Sequence, residues 1–186
     1  MTNERSYRRP SRLRVHFFDP LARFMIGRGL APGGNSQDGS GMRVLEVRGR
    51  KTGRWYQRPV VVGAVDGRRY IVSLWGESQW ARNLRANAAA KLRVGSRIEP
   101  IEGHELKNEE EKAGVLLAIC RKYPSVFRRY FKVDPKQVTL EQARELATRY
   151  PVFRIEIAAV DRVQGRGDAD EAPTPMRDAS RTSSPL

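Results

Sequence analysis

Apolar and polar residues alternate through the middle of this chain. MRVLEVR, residues 42–48, sets Val44, Leu45 and Val47 in a strand-like run. WYQRPVVVGAV, 55–65, is rich in aromatic and β-branched side chains. Asp66-Gly67 is a strong hairpin signal, and RRYIVSLW, 68–75, returns as the partner strand. KLRVG and RIEPIEGHEL read as two more strands turning at Gly95-Ser96. PVFRIEIAAV, 151–160, opposes Val152, Arg154 and Glu156 to Phe153, Ile155 and Ile157.

Helical punctuation separates the strands. Ser78 can cap QWARNLRAN, where Trp80, Asn83, Leu84 and Asn87 share a face and Arg82 and Arg85 point to solvent. Asn108 caps a longer helix whose first turn carries Glu109, Glu110 and Glu111. Thr139 and Gln142 form a capping-box pair before ARELATRY. Upstream, Asp19, Pro20 and Gly29 punctuate a helix in HFFDPLARFMIGRG, and APGGNSQDGSG, 31–41, reads as a flexible loop. About six strands in hairpin order with inserted helices predict an antiparallel sheet or small barrel. Residues 1–12 read as a basic arm, 13–163 as one domain, and 164–186 as a disordered tail.

Composition narrows the setting. The chain has 186 residues, enough for one domain with a full core. Its single cysteine, Cys120, lies in the apolar run GVLLAIC and reads as a buried thiol. That excludes an internal disulfide and favours a reducing compartment. No segment approaches the roughly 20 apolar residues of a spanning helix, and the N-terminus does not read as a secretory signal. The expected location is cytoplasmic. The net charge of +14 calls for an anionic partner: nucleic acid, a membrane surface or a polyanionic small molecule.

Several chemistries find no residues. His16 and His104 stand far apart, and no histidine–cysteine cluster offers a metal site. There is no nucleophile elbow, and GRKTG lacks P-loop spacing. An enzyme built on this sequence would rely on a cofactor.

What remains is the stretch GRKTGRWYQRP, 49–59. Its glycines permit positive φ and close approach, and consecutive N–H groups can form an anion nest. Lys51 adds a mobile cation, Arg50 a fork of donors, Thr52 a hydroxyl. A solvated hairpin loop explains the same residues. Tyr56 and Arg58 share a strand face, and Pro59 removes a ladder donor. The two helical asparagines could bind either loop backbone or a ligand.

GRKTG, the proline six residues after its second glycine, the Asp-Gly hairpin and WARNLRAN together resemble the deazaflavin-dependent nitroreductase family, oxidoreductases that use coenzyme F-420. The similarity runs from about Met42 to Val94 and more loosely to Val160. It implies an α+β fold, a six-stranded antiparallel split β-barrel with accessory helices. It implies that Arg50, Lys51 and Thr52 meet the cofactor's phosphate and acidic tail, and that Pro59, Val60 and Val61 line the deazaflavin ring. Ser73, Trp75 and Gly76 would form the opposite wall, with Gln79, Trp80 and Asn83 closing the pocket. The implied reaction is hydride transfer to a quinone, nitroaromatic or enone. The sequence departs from the family at Tyr56, where many members carry arginine and where Arg58 is the expected substitute. The segment between Ser73 and Trp80 is also shorter than in nitroimidazole-activating members, and Asn87 is followed by alanine rather than proline.

Other readings of the same features stand beside this one. The barrel could hold FMN instead. It could bind nucleic acid without catalysis, through the basic arm with Trp55, Tyr56 and Arg58. Residues 5–28 could dock on the inner face of the cell membrane, and barrels of this kind commonly form homodimers. Tyr123 and Tyr130 are candidate proton donors, with packing or solvent exposure the preferred role for each.

Overall fold

The computed structural model describes residues 28, 36–124, 128, 131, 134 and 137–158. The basic arm, the C-terminal tail, Tyr130 and, apart from Arg28, the expected helix over 16–29 lie outside the described residues.

Six strands form a closed antiparallel barrel. In chain order they are β1 (Gly41–Arg48), β2 (Trp55–Val65), β3 (Arg68–Val72), β4 (Ala89–Val94), β5 (Arg97–Glu105) and β6 (Val152–Ile157). Around the barrel the order is β1-β2-β3-β6-β5-β4. One chain therefore closes the sheet, with no partner needed at an edge. The expected strands are all present, and α+β with a six-stranded antiparallel barrel is the architecture.

The barrel interior follows from alternation. Leu45 and Val47 on β1 face the same side as Val62, Ile71, Leu92, Ile101 and Phe153, and none of these side chains is exposed. Helix α1 (Gln79–Ala86) packs into this interior through Trp80, Ala81 and Leu84. The Trp80 ring tilts against Phe153 with centroids 5.6 Å apart. Gly103 makes the fit possible, because a Cβ there would lie 2.7 Å from Leu84 Cδ2.

A second apolar cluster lies on the outer face. Helices α2 (Glu109–Lys122) and α3 (Leu140–Arg149) cover Tyr70, Val72 and Val152 with Leu116, Ile119, Ala143 and Leu146. Asn108 accepts from Glu111 N–H, and Thr139 with Gln142 forms the expected capping box. Cys120 is buried in this cluster, and burial pushes its thiol up to about 12.

Two strands depart from what alternation predicts. β3 stops at Val72 rather than running to Trp75. The Ser73 hydroxyl donates to Gly76 O at 2.6 Å, and Gly76 adopts φ 62°, so the chain turns. Apolar alternation does not register that hydroxyl. On β6, Val152, Phe153 and Ile155 are all buried, whereas Ile157 at the strand end is 66% exposed. Both faces of the strand's first half are covered, one by the interior and one by the helices.

Candidate functional site

The structure places the 49–54 loop against α1. Loop closure comes from Gly49 N–H donating to Arg54 O and Gly53 N–H to Gly49 O, each at 2.8 Å. Gly53 has φ 68°, a conformation that glycine adopts at little cost. Gly49 is required for a different reason. A Cβ there would clash with Tyr56 Cε2 and lie 2.7 Å from Thr52 Oγ1. The Tyr56 hydroxyl in turn shares a hydrogen bond with Thr52 Oγ1 at 3.1 Å. Tyr56 thus shapes the loop from beneath.

The five N–H groups of residues 50–54 divide into two sets. Arg50 N–H donates to Asn83 Oδ1 at 3.3 Å, Gly53 N–H to Gly49 O, and Arg54 N–H to Thr52 Oγ1 at 3.4 Å. The N–H groups of Lys51 and Thr52 bond to no described residue. Lys51 and Arg54 are exposed and make no ion pair among the described residues. Two adjacent open N–H groups beside an exposed ammonium are the donor set that an anion seat requires.

Arg50 joins this loop to α1. Its Nη1 donates to Asn83 Oδ1 at 2.9 Å and to Gln79 Oε1 at 3.0 Å. Asn83 is 2% exposed. Its amide oxygen is spent on Arg50, while its nitrogen has no partner among the described residues. The amide oxygen therefore holds the loop, and the two N–H donors of the amide are left without a partner among the described residues.

The neighbouring wall is equally tied down. Ser73 Oγ lies 2.9 Å from Ser78 Oγ, and Ser78 caps α1 by accepting from Ala81 N–H. Arg85, exposed as expected, also clamps Glu77 and Glu105, with its shortest contacts at 2.7 and 2.6 Å. Hydrogen bonds from Arg85 hold both carboxyls below the usual range. Glu77 lies in the Ser73–Ser78 segment and Glu105 ends β5, so the clamp fixes that wall to the barrel. No sequence signal marked this pairing, because strand order alone brings β5 beside α1.

Between the two walls runs an open edge of β2. β2 pairs with β3 only through Val62–Val65, whereas β1 pairs along Trp55–Val62. Trp55–Val61 therefore has strand neighbours on one side only. Pro59 falls on this stretch, where a missing N–H is tolerated. Alternation divides the expected ring-lining residues. Val60 is 7% exposed and belongs to the interior cluster, so its side chain faces away from those of Pro59 and Val61. Arg58 is half-buried on the Tyr56 face and pairs in register with Leu45, about 7 Å along the strand from Tyr56. Trp75, 38% exposed, rides the turn after β3. Beyond the hairpin, Arg48 and Lys91 stand over the Trp55 ring at 5.0 and 4.6 Å.

Features elsewhere do not join this site. A cleft of about 510 Å³ lined by Gly67, Arg68, Arg69 and Arg154 lies at the far end of β2. Tyr123 accepts from Ala64 N–H at 3.3 Å, also near that end, which fits its packing role. Among the described residues no group of histidine, cysteine and carboxylate side chains could hold a metal. No helix of the described residues is long and apolar enough to cross a membrane.

The described residues thus form a small antiparallel barrel with a basic, open-amide loop beside an unpaired strand edge. The F420H(2)-dependent quinone reductase family matches residues 25–141, and the chain belongs to that family. It is accordingly an oxidoreductase that uses coenzyme F-420. No curated protein matches the chain. Among solved structures it is similar to a conserved hypothetical protein from Mycobacterium tuberculosis, at 14% identity over 91% of this chain and 100% of that one, TM-score 0.47. It is also similar to an F420-H2 dependent reductase, FDR-A, at 22% identity over 62% and 93%, TM-score 0.41. A protein of unknown function from Agrobacterium tumefaciens gives 14% identity over 64% and 51%, TM-score 0.43. The barrel assignment rests on the strand pairing alone.

Proposed function

We propose that the protein reduces a quinone with reduced coenzyme F-420, and that nitroaromatics and enones serve as acceptors of the same electronic kind. The observation that carries this reading is the 49–54 loop, with two open N–H groups, docked on α1 beside the unpaired edge of β2. The residues present fit the group. Lys51 and Thr52 offer N–H donors and a cation for its phosphodiester. The outward faces of Pro59 and Val61 and the Ser73–Gly76 turn offer two walls for a planar ring, and the Asn83 nitrogen offers donors to a ring carbonyl. When bound in its reduced form, the deazaflavin supplies a hydride, and a quinone also takes up a proton to become a hydroquinone.

The chain's own work is positional. The Arg85 clamp and the Ser73–Ser78 contact hold one wall of the groove. The Arg50–Asn83 joint holds the loop. A rigid groove fixes the distance between cofactor and acceptor, and fixed donors stabilise negative charge developing on the acceptor oxygen. The Ser73 hydroxyl proton is engaged with Gly76 O, so Ser73 is not a ready proton donor.

The test mixes reduced cofactor with a soluble quinone, a nitroaromatic or an enone under anaerobic conditions and follows return of deazaflavin absorbance. Saturable, enzyme-dependent oxidation that is fastest with the quinone supports the reading. Cofactor binding without oxidation by any acceptor class would end it. Docking of residues 5–28 on anionic membrane would bring the site to lipid-phase quinones, since that segment carries Arg5, Arg8, Arg9, Arg12 and Arg14. Co-sedimentation of the full chain with anionic liposomes, lost on deletion of the arm, checks that step; equal sedimentation of both would remove it.

A further inference from the structure

We infer that the cleft at the far end of β2 is a second binding site, for a singly charged oxyanion carried on an apolar chain. It stands apart from the 49–54 loop and does not depend on the coenzyme.

The cleft forms where a strand ladder opens. β3 and β6 pair from Val72–Val152 to Arg69–Ile155. Beyond that pair β3 turns back through Gly67, at φ 73°, while β6 runs on to Ile157 against β5. The opening leaves about 510 Å³, lined chiefly by Arg68, Arg69, Arg154, Ile155, Glu156 and Ile157.

The three arginines differ in what they have left to give. Arg69 donates to both carboxylate oxygens of Glu99, at 2.7 and 3.1 Å, so its charge is matched. Arg68 is exposed, and its guanidinium meets no acceptor among the described residues. Arg154 pairs in register with Tyr70, which puts it on the same face as Arg68 and diagonally across the ladder. Its Nε is buried and makes no hydrogen bond among the described residues, although Glu156 Oε1 lies 3.0 Å away. The carboxylate balances charge there without lying along the N–H direction. A buried donor without an acceptor is costly. An oxyanion seated between Arg68 and Arg154 would supply that acceptor, with Glu156, itself exposed, turned to water. With Arg69 matched by Glu99 and Arg154 by Glu156, the charge of Arg68 remains, which selects a monoanion.

Apolar surface selects what carries the charge. Ile157 is 66% exposed beside these arginines, on the part of β6 that β3 does not reach. An alkyl chain laid along it would cover surface that water now wets. A fatty carboxylate and an alkyl phosphodiester share this chemistry, the first as a free acid and the second as a lipid headgroup.

The test titrates the isotopically labelled full chain with octanoate, octyl methyl phosphate and acetate, and follows backbone amide shifts. Saturable shifts centred on 66–69 and 154–157 are expected, at lower concentration for the octyl ligands than for acetate. The tighter of the two octyl ligands names the source. Arg68→Ala, at an exposed position, and Arg154→Lys, which keeps the charge but lacks Nε, should each weaken octyl binding by about tenfold. Ile157→Ser should weaken the octyl ligands and leave acetate unchanged. Shifts centred on 49–54, equal affinity for octanoate and acetate, or parent-like affinity in Arg68→Ala would each overturn the inference.

Discussion

Arg50 and Asn83, 33 residues apart in sequence, meet at 2.9 Å and make the hairpin loop and helix α1 one structural unit. Everything proposed for the site depends on that unit holding its shape.

Lys51→Ala should weaken cofactor binding by about tenfold, the loss of one charge-assisted contact. Turnover at saturating cofactor should change little, since the contact is equal in ground and transition states. Steady-state kinetics at two salt concentrations check this. The affinity of the variant should also depend less on salt than that of the parent.

Gly49→Ala should disturb the loop more than Gly53→Ala. At Gly49 a methyl group meets the Tyr56 ring and Thr52 Oγ1. The expected cost is about 1–3 kcal/mol, with weakened cofactor binding. At Gly53 nothing lies within 4 Å, and the cost is only that of positive φ, about 1–2 kcal/mol. Paired denaturant curves and fluorescence titrations separate the two. Adding Tyr56→Ala should relieve the Gly49→Ala defect in part.

Leu84→Ala should destabilise the fold by about 2–5 kcal/mol, because its fully buried side chain packs over Gly103 at the barrel mouth. Chemical denaturation measures the loss.

Acid sensitivity should trace to the Arg85 clamp. Glu77 and Glu105 have folded pKa values lowered chiefly by hydrogen bonds from Arg85. Their stabilisation is therefore fully present above the unfolded carboxylate value of about 4.3 and is lost as pH falls through the lower folded values. Arg85→Ala should flatten the stability profile in that acidic window. It should cost about 1 kcal/mol at neutral pH, since Arg85 and Glu77 are substantially solvent-exposed. Denaturation midpoints measured from pH 3 to 7 test both statements.

Much of the architecture was legible because its signals are local. The Asp66-Gly67 turn, the caps at Ser78, Asn108 and Thr139, and the alternation in 55–65 each depend on neighbours in sequence. The site was legible in its pieces and less so in its joints. Of Trp80, Asn83, Leu84 and Asn87, expected on one face, the first three are buried, whereas Asn87 is the exposed, extended C-cap of the helix. Arg50, expected as a fork of donors at a phosphate, also ties the loop to that face through Nη1. The Arg85 clamp depends on barrel closure, which sets β5 beside α1, and period-two spacing does not encode that. The opposed faces of Val60 and Val61 were available from the same spacing, while the resemblance grouped them by motif.

The most direct measurement is the fluorescence titration of the purified full chain with coenzyme F-420. The account predicts saturable binding at micromolar protein, weakened by Lys51→Ala and by rising salt. Absence of saturable binding, or binding indifferent to both, would contradict it.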